Sequence, residues 1–224
     1  MKTISTFFNL FSQPEFFIHN QAGKNTAADF ELEEEPLRSE LYSITQMDQY
    51  GKYLGRTHVL SDKHERDHLL ARLADNEAVI RRVYDILASA VRSENRITPA
   101  AEWLLDNFYL IEEQIQIAKN HLPEKYSSEL PRLSSETMGS VPRVYELALE
   151  IVSHGDGHID ANSLSHFISS YQSESVLTLG ELWAIPIMLR LALIENLRRV
   201  AVRLAMSRAH HELAEEWVQK FTDT

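Results

Sequence analysis

Two histidines, His64 and His68, flank Glu65 in a match to the H-E-x-x-H pattern. In zinc hydrolases this spacing puts two imidazoles one helical turn apart, where they bind the metal while the glutamate acts as general base. The extended form of the motif requires Gly and His at positions that hold Ala71 and Ala74 in this chain. The pattern also lies at the charged start of a helix, where side chains are commonly solvated. We therefore predict no metal site here, and a zinc hydrolase is the least favoured hypothesis.

A second polar cluster, HGDGHIDAN at 154–162, superficially suggests a calcium loop. Counting from Asp156, the sixth position requires glycine but holds Ala161, and the twelfth holds Phe167, which cannot bind a cation. We interpret the segment as a turn between two helices, with Asp160 as the N-cap of the second.

Composition excludes several functional classes. The 224 residues include no cysteine, which excludes thiol catalysis, disulfides and cysteine-based zinc sites. The net charge of −11 would repel phosphate groups, so we predict no nucleic-acid partner. The longest apolar run, 182–194, contains Arg190 and is shorter than the roughly 20 residues that cross a bilayer. We therefore predict no membrane span in this chain.

Periodicity and composition favour helices throughout. Glycine is scarce, leucine, alanine, glutamate and arginine are abundant, and no alternating strand pattern is present. We predict an all-α fold, a multi-helix bundle around a long C-terminal helix. That helix should open at a capping box of Thr178 and Glu181, be kinked by Pro186 one turn before this residue, and run to about Phe221. A helix over 98–121 should pack against it.

Four further helices follow from apolar spacing and capping residues. Their expected ranges are 37–53, 61–92, 142–153 and 160–171. Gly51 and Gly55 should break the first, and Ser61 or Asp62 should cap the second. The connection over 122–141 should be irregular.

Apolar residues recur at helical spacing near the N-terminus, at Ile4, Phe7, Phe8 and Phe11. We name residues 1–18 the aromatic arm. We expect it to dock on the protein's own core, the alternatives being a membrane surface or other parts of a longer protein.

A polar stretch, the acidic linker, follows over residues 19–36 and ends in the run ELEEE at 31–35. Its like charges and scarce apolar residues disfavour packing. We therefore predict two parts, an arm and linker over 1–36 and a helical domain over 37–224.

Three segments carry a resemblance to a known family. They are TPAAEWLLDNFYLIEEQI at 98–115, PRVY at 142–145 and LGELWAIPIMLRLALIENLRR at 179–199. In this order they resemble the N-terminal region of the cyclic β-1,2-glucan synthases, which are bacterial inner-membrane enzymes. The resemblance runs from about Leu69 to about Ala205, and the preceding residues match less clearly.

This resemblance implies that the chain is an N-terminal fragment on the cytoplasmic side of the inner membrane. The parent would be a glycosyltransferase that uses UDP-glucose and a divalent metal to build, trim and cyclise a β-1,2-linked glucan. In this chain we predict no catalytic residue and no cofactor. Its partners would be the remaining domains of the parent, with glucan as a further candidate ligand.

Polar residues inside apolar helix faces allow two interpretations. Arg190 lies within the apolar run, where a buried cation requires a carboxylate such as Glu102, Asp106 or Glu112. These residues could form an internal network that fixes how two helices dock. Alternatively, a surface pocket could bind a sugar or another domain. Its lining would be Glu102, Trp103, Asn107, Tyr145, Glu181, Trp183 and Asn196.

The candidate binding residues are the polar and aromatic side chains of these helices: Glu102, Trp103, Asp106, Asn107, Arg143, Tyr145, Glu181, Trp183, Arg190 and Asn196. The favoured function is a non-catalytic domain that scaffolds or positions the glucan-synthesising parts of the parent. The alternative is a stand-alone helical module that grips another protein through its aromatic arm and acidic linker.

Overall fold

A computed structural model describes Leu37 and residues 40–61, 68–93, 96–122, 126–134, 141–155 and 159–222. These residues form seven helices and one pair of short strands: α1 (Ile44–Thr57), β1 (Leu60–Ser61), α2 (Leu69–Arg92), α3 (Pro99–Asp106), α4 (Phe108–His121), β2 (Arg132–Leu133), α5 (Arg143–His154), α6 (Ala161–Gln172) and α7 (Leu179–Thr222). The all-α prediction is confirmed. The aromatic arm, the acidic linker, His64 and Asp156 lie outside the described residues, so the predictions made for them stay predictions.

Helix α7 is the central element of the fold. It packs against α5, α2 and α4, and Met188, Leu191 and Ala192 on its inner side belong to the main core. The predicted capping box opens it, since the Glu181 amide donates to Thr178 Oγ1 at 3.3 Å and the Thr178 amide donates to the Glu181 carboxylate at 2.8 Å. The helix continues through Pro186. A kink at this proline stays a prediction.

The prediction that Ser61 or Asp62 caps the second helix was wrong, because α2 begins at Leu69. Ser61 lies in β1, where it pairs with Arg132 of β2, and Leu60 pairs with Leu133. The Ser134 amide also donates to Val59 O at 2.9 Å, which extends the pairing beyond the two-residue strands. Strands this short contain too few residues for an alternating pattern, which explains why none was predicted.

The helix predicted over 98–121 is two helices, α3 and α4, separated at Asn107. Its start is confirmed, because Thr98 Oγ1 accepts a hydrogen bond from the Ala101 amide at 3.3 Å. At the break, the Asn107 side chain donates to Trp103 O at 2.8 Å. A short amide side chain that bonds to the backbone in this way competes with helix propagation.

Helices α5 and α6 lie close to their predicted ranges. Asp160 caps α6 as predicted and accepts from the Asn162 and Ser163 amides at 2.9 Å. Helix α1 begins later than expected, at Ile44, because Ser43 forms a capping box with Gln46. Its extent differs from the predicted 37–53 at both ends.

Gly51 and Gly55 do not break α1, so the prediction made for these glycines was wrong. Both lie inside the helix and face α6. A Cβ atom at Gly51 would lie 2.9 Å from Phe167 O, and one at Gly55 would lie 2.8 Å from Tyr171 O. The missing side chains therefore allow two helix backbones to approach closely, and this packing compensates for the low helix propensity of glycine.

We expect Gly55→Ala to lower the free energy of unfolding by about 1–2 kcal/mol. The added methyl group would press on a backbone carbonyl that cannot rotate away, and this strain exceeds the gain in helix propensity. Urea unfolding followed by circular dichroism measures the difference.

The matched control is Gly180→Ala in the first turn of α7, where the nearest atoms to an added Cβ are 3.9 Å and 4.0 Å away. This variant should be unchanged or more stable by up to about 1 kcal/mol. Equal effects of the two substitutions would show that helix contact does not explain Gly55.

Candidate functional site

A buried ion pair joins α5 to the first turn of α7. Arg143 Nε donates to Glu181 Oε1 at 2.8 Å, and Nη2 donates to Oε2 at 2.7 Å. The guanidinium also donates to Ser175 Oγ at 2.9 Å and to Val176 O at 3.1 Å, and it lies near the Tyr171 ring. Because both charged side chains are buried and bonded to the protein, they hold the helices together and are not exposed to a ligand.

A second buried network joins α2 to the middle of α7 around the carboxylate of Glu195. Arg72 donates to it twice, at 3.0 and 2.7 Å, and Asn76 Nδ2 donates at 2.8 Å. Arg198 and Arg199 on α7 itself approach the same carboxylate at 3.3 and 3.2 Å. One fully buried anion therefore contacts three guanidinium groups from two helices.

The guanidinium groups determine the ionisation of this carboxylate. Burial alone would raise the pKa of Glu195, but the hydrogen bonds and charge of Arg72, with help from Asn76 and Arg199, hold that pKa below its usual range. Tyr145 lies beside the network and is itself buried. Burial, with the Glu195 charge, raises the pKa of the Tyr145 hydroxyl and so moves its ionisation further above neutral pH.

An apolar groove of about 430 Å³ lies on the opposite side of α7, between α7 and the helices α3 and α4. Its lining is Trp103, Leu110, Ile111, Gln114, Ile159, Pro186, Leu189, Arg190, Leu193, Ile194 and Leu197. Arg190 is the one charged side chain among these described residues. A groove of this composition suits apolar side chains better than a sugar, whose hydroxyl groups need hydrogen-bonding partners.

The prediction for Arg190 was wrong in both burial and partner. Its side chain is half-buried at the groove, and Nε donates to Gln114 Oε1 at 3.1 Å. Its partner is this amide and not one of the expected carboxylates, and Glu112 pairs instead with Arg81 of α2. Because this side of α7 faces the groove and not the core, the cation keeps access to water and needs no buried counter-charge.

The other candidate residues do not form a single pocket. Trp103 lines the groove, and Trp183 is exposed on the same side of α7, nearer the start of the helix. Asn107 ends α3, and Asn196 Oδ1 accepts a hydrogen bond from the Leu37 amide at 2.8 Å. The ten residues therefore lie in two structural networks, in the groove, at exposed positions and, for Asn107 and Asn196, in separate hydrogen bonds to the backbone.

Sequence reasoning missed the residues that matter most to the second network. Arg72 and Asn76 lie on α2, more than one hundred positions from Glu195. The local signal was present, because Arg198 and Arg199 follow Glu195 at the i+3 and i+4 spacings that place side chains on one helix face. The partners on α2 had no such signal.

The H-E-x-x-H hypothesis receives no test from this structure. His68 is exposed and immediately precedes α2, whereas His64 lies outside the described residues. Within the described ranges, no three His, Asp or Glu side chains group closely enough to hold a metal ion.

Glu195→Gln should lower the free energy of unfolding at pH 7 by roughly 3–5 kcal/mol, because three guanidinium groups lose a buried counter-charge. The folded pKa of Glu195 is depressed, so its ionised form stabilises the fold above the unfolded pKa of about 4.3, and this stabilisation is lost as the pH falls through the folded pKa. The difference between variant and wild type should therefore shrink between pH 7 and pH 3. Urea unfolding at several pH values measures it.

Glu112→Gln is the matched control, because Glu112 pairs with Arg81 at 2.8 Å on the surface. We expect a loss below about 1 kcal/mol. Equal losses in the two variants at pH 7, or a Glu195→Gln loss that grows in acid, would contradict the network.

Comparison with known proteins relates this helical fold to a glucan-synthesising enzyme. A scan against protein-family models found no match. Over 147 residues, 65% of this chain, the sequence is 42% identical to the cyclic β-(1,2)-glucan synthase NdvB of Rhizobium meliloti (strain 1021). The chain spans about 5% of the length of that relative. The resemblance identified in the sequence is thereby confirmed, and the chain contains a region related to the cyclic β-(1,2)-glucan synthases.

Proposed function

We propose that this chain is a non-catalytic helical domain of a membrane glycosyltransferase similar to cyclic β-(1,2)-glucan synthases, and that it positions the parts that make the glucan. The relationship to a synthase of which it spans only 5% supports a role as one part of a larger polypeptide. None of the helices in the described part of the chain combines the length and apolar character needed to cross a bilayer.

The buried charges support a structural role for the helices. The Arg143–Glu181 pair holds α5 to α7, and the Glu195 network holds α2 to α7. Satisfied buried networks of this kind fix the relative position of helices, because any shift would leave a charge without its partners. A frame held in this way can present a surface in a constant orientation.

The observation that carries the proposal is an exposed apolar patch at the start of α7. Val176, Leu179 and Trp183, which we name the Trp183 patch, are 77%, 62% and 73% exposed. Clustered exposed apolar side chains mark interaction sites more often than isolated ones, and tryptophan is enriched among residues that dominate binding energy. The patch residues lie on both sides of Glu181 in the chain, and Arg143 donates both to Glu181 and to Val176 O, so the backbone of the patch is anchored.

In this proposal the partner is another part of the same polypeptide, on the cytoplasmic side of the bacterial inner membrane. The reactions that use UDP-glucose and a divalent metal would be carried out by those other parts. The chain described here would contribute the docking surface and no reacting group.

Trp183→Asp in the polypeptide that carries this chain should reduce cyclic glucan formation by about tenfold or more, since loss of a tryptophan at an interface typically costs 2 kcal/mol or more of binding energy. Membranes containing the variant are assayed separately for initiation, elongation and ring closure. Protein abundance and membrane insertion are measured in the same preparations.

Tyr109→Asp is the control, because Tyr109 is an exposed aromatic residue on α4 outside the Trp183 patch. It should leave synthesis unchanged. Normal synthesis by Trp183→Asp would overturn the proposal and leave the stand-alone interaction module as the better hypothesis. Saturable quenching of tryptophan fluorescence by β-1,2-glucan, abolished in Trp183→Asp, would indicate carbohydrate binding in place of domain docking.

A further inference from the structure

The groove on α7 is an apolar surface that no described residue covers. Pro186, Arg190, Leu193 and Leu197 follow one another along successive turns of α7 and form one wall. Trp103 stands on the other wall and is itself exposed. A continuous apolar surface of this kind usually has a ligand or a partner segment.

The start of the described chain lies beside one end of this groove. The Leu37 amide donates to Asn196 Oδ1 at 2.8 Å, and Leu37 packs against the main core. Asn196 immediately precedes Leu197, which lines the groove. The 36 residues before Leu37 therefore connect to the fold close to where the groove ends.

The aromatic arm has the pattern of a segment that fills such a groove. The spacing i, i+3, i+4 and i+7 would place its apolar residues on one face of a helix: Ile4, Phe7, Phe8 and Phe11. Short amphipathic helices bind apolar grooves through side chains with this spacing. A helix of this length is only marginally stable alone, so docking would supply the stabilisation that it lacks.

The stretch of chain between Phe11 and Leu37 is long enough for this contact. A flexible chain of 25 residues, the number in 12–36, would have a root-mean-square end-to-end distance of about 25–30 Å. The groove extends for about 17 Å along α7, from Pro186 to Leu197. Because the coil dimension exceeds the groove length only modestly, the local concentration of the arm at the groove is high.

We propose that the segment Ile4–Phe11 docks into the α7 groove of its own chain. This inference goes beyond the proposed function and does not depend on it. It assigns the groove to an intramolecular partner and leaves the Trp183 patch as the surface available to other parts of the polypeptide.

The chain contains no cysteine, so introduced pairs can be crosslinked without interference. Ser12→Cys combined with Leu193→Cys, treated with a short bismaleimide, should form an intramolecular crosslink about tenfold faster than the control pair, because docking raises the effective concentration. The control combines Ser12→Cys with Asp75→Cys, which is exposed on α2. Circular dichroism verifies that each variant is folded.

Phe7→Asp and Phe8→Asp, added together to the Ser12→Cys, Leu193→Cys chain, should reduce its crosslinking rate to that of the control pair. Equal rates for the two cysteine pairs would overturn the proposal. Crosslinked dimers in place of intramolecular products would also overturn it and would assign the groove to a second copy of the chain. A rate that the two aspartates leave unchanged would show that the aromatic residues are not what binds.

Discussion

The Glu195 carboxylate is the interaction on which the position of α7 depends. It is fully buried, and its partners come from α2 as well as from α7 itself. Removing an ion from water is costly, and only a complete set of hydrogen bonds compensates for that cost. The two helices are therefore held at one relative position, because a displaced α2 would leave the anion with the guanidinium groups of α7 alone.

The Arg143–Glu181 pair repeats this principle at the first turn of α7, where the same carboxylate also completes the N-terminal cap. A residue that caps its own helix and binds a neighbouring helix links local folding to tertiary packing. Glu181 was foreseen as a cap and Arg143 as a polar residue of interest. Their pairing was not foreseen, because a capping box is a local pattern and an ion pair across helices is not.

The same distinction explains how much could be predicted from the sequence. Features that depend on neighbouring residues could be predicted and are confirmed. They are the N-caps Thr98 and Asp160 and the extent of α7. Errors arose where long-range contacts decide the outcome. Gly51 and Gly55 look like helix breakers until α6 is placed against them, and Arg190 looks buried until its side of α7 is known. Of the candidate site, only Trp103 and Arg190 line the groove.

The two buried carboxylates of α7 also set its rotation about its own axis. Glu181 and Glu195 are fourteen positions apart, which is close to four whole turns, so they project from nearly the same side about 21 Å apart. Each is held by a different helix. A rotation of α7 about its axis by the angle of one residue, about 100°, would move both carboxylates away from their partners. The side of α7 that carries Trp183, Arg190 and Leu193 consequently faces away from these ion pairs. Its exposure to a partner is therefore determined by charges on the opposite side of the helix.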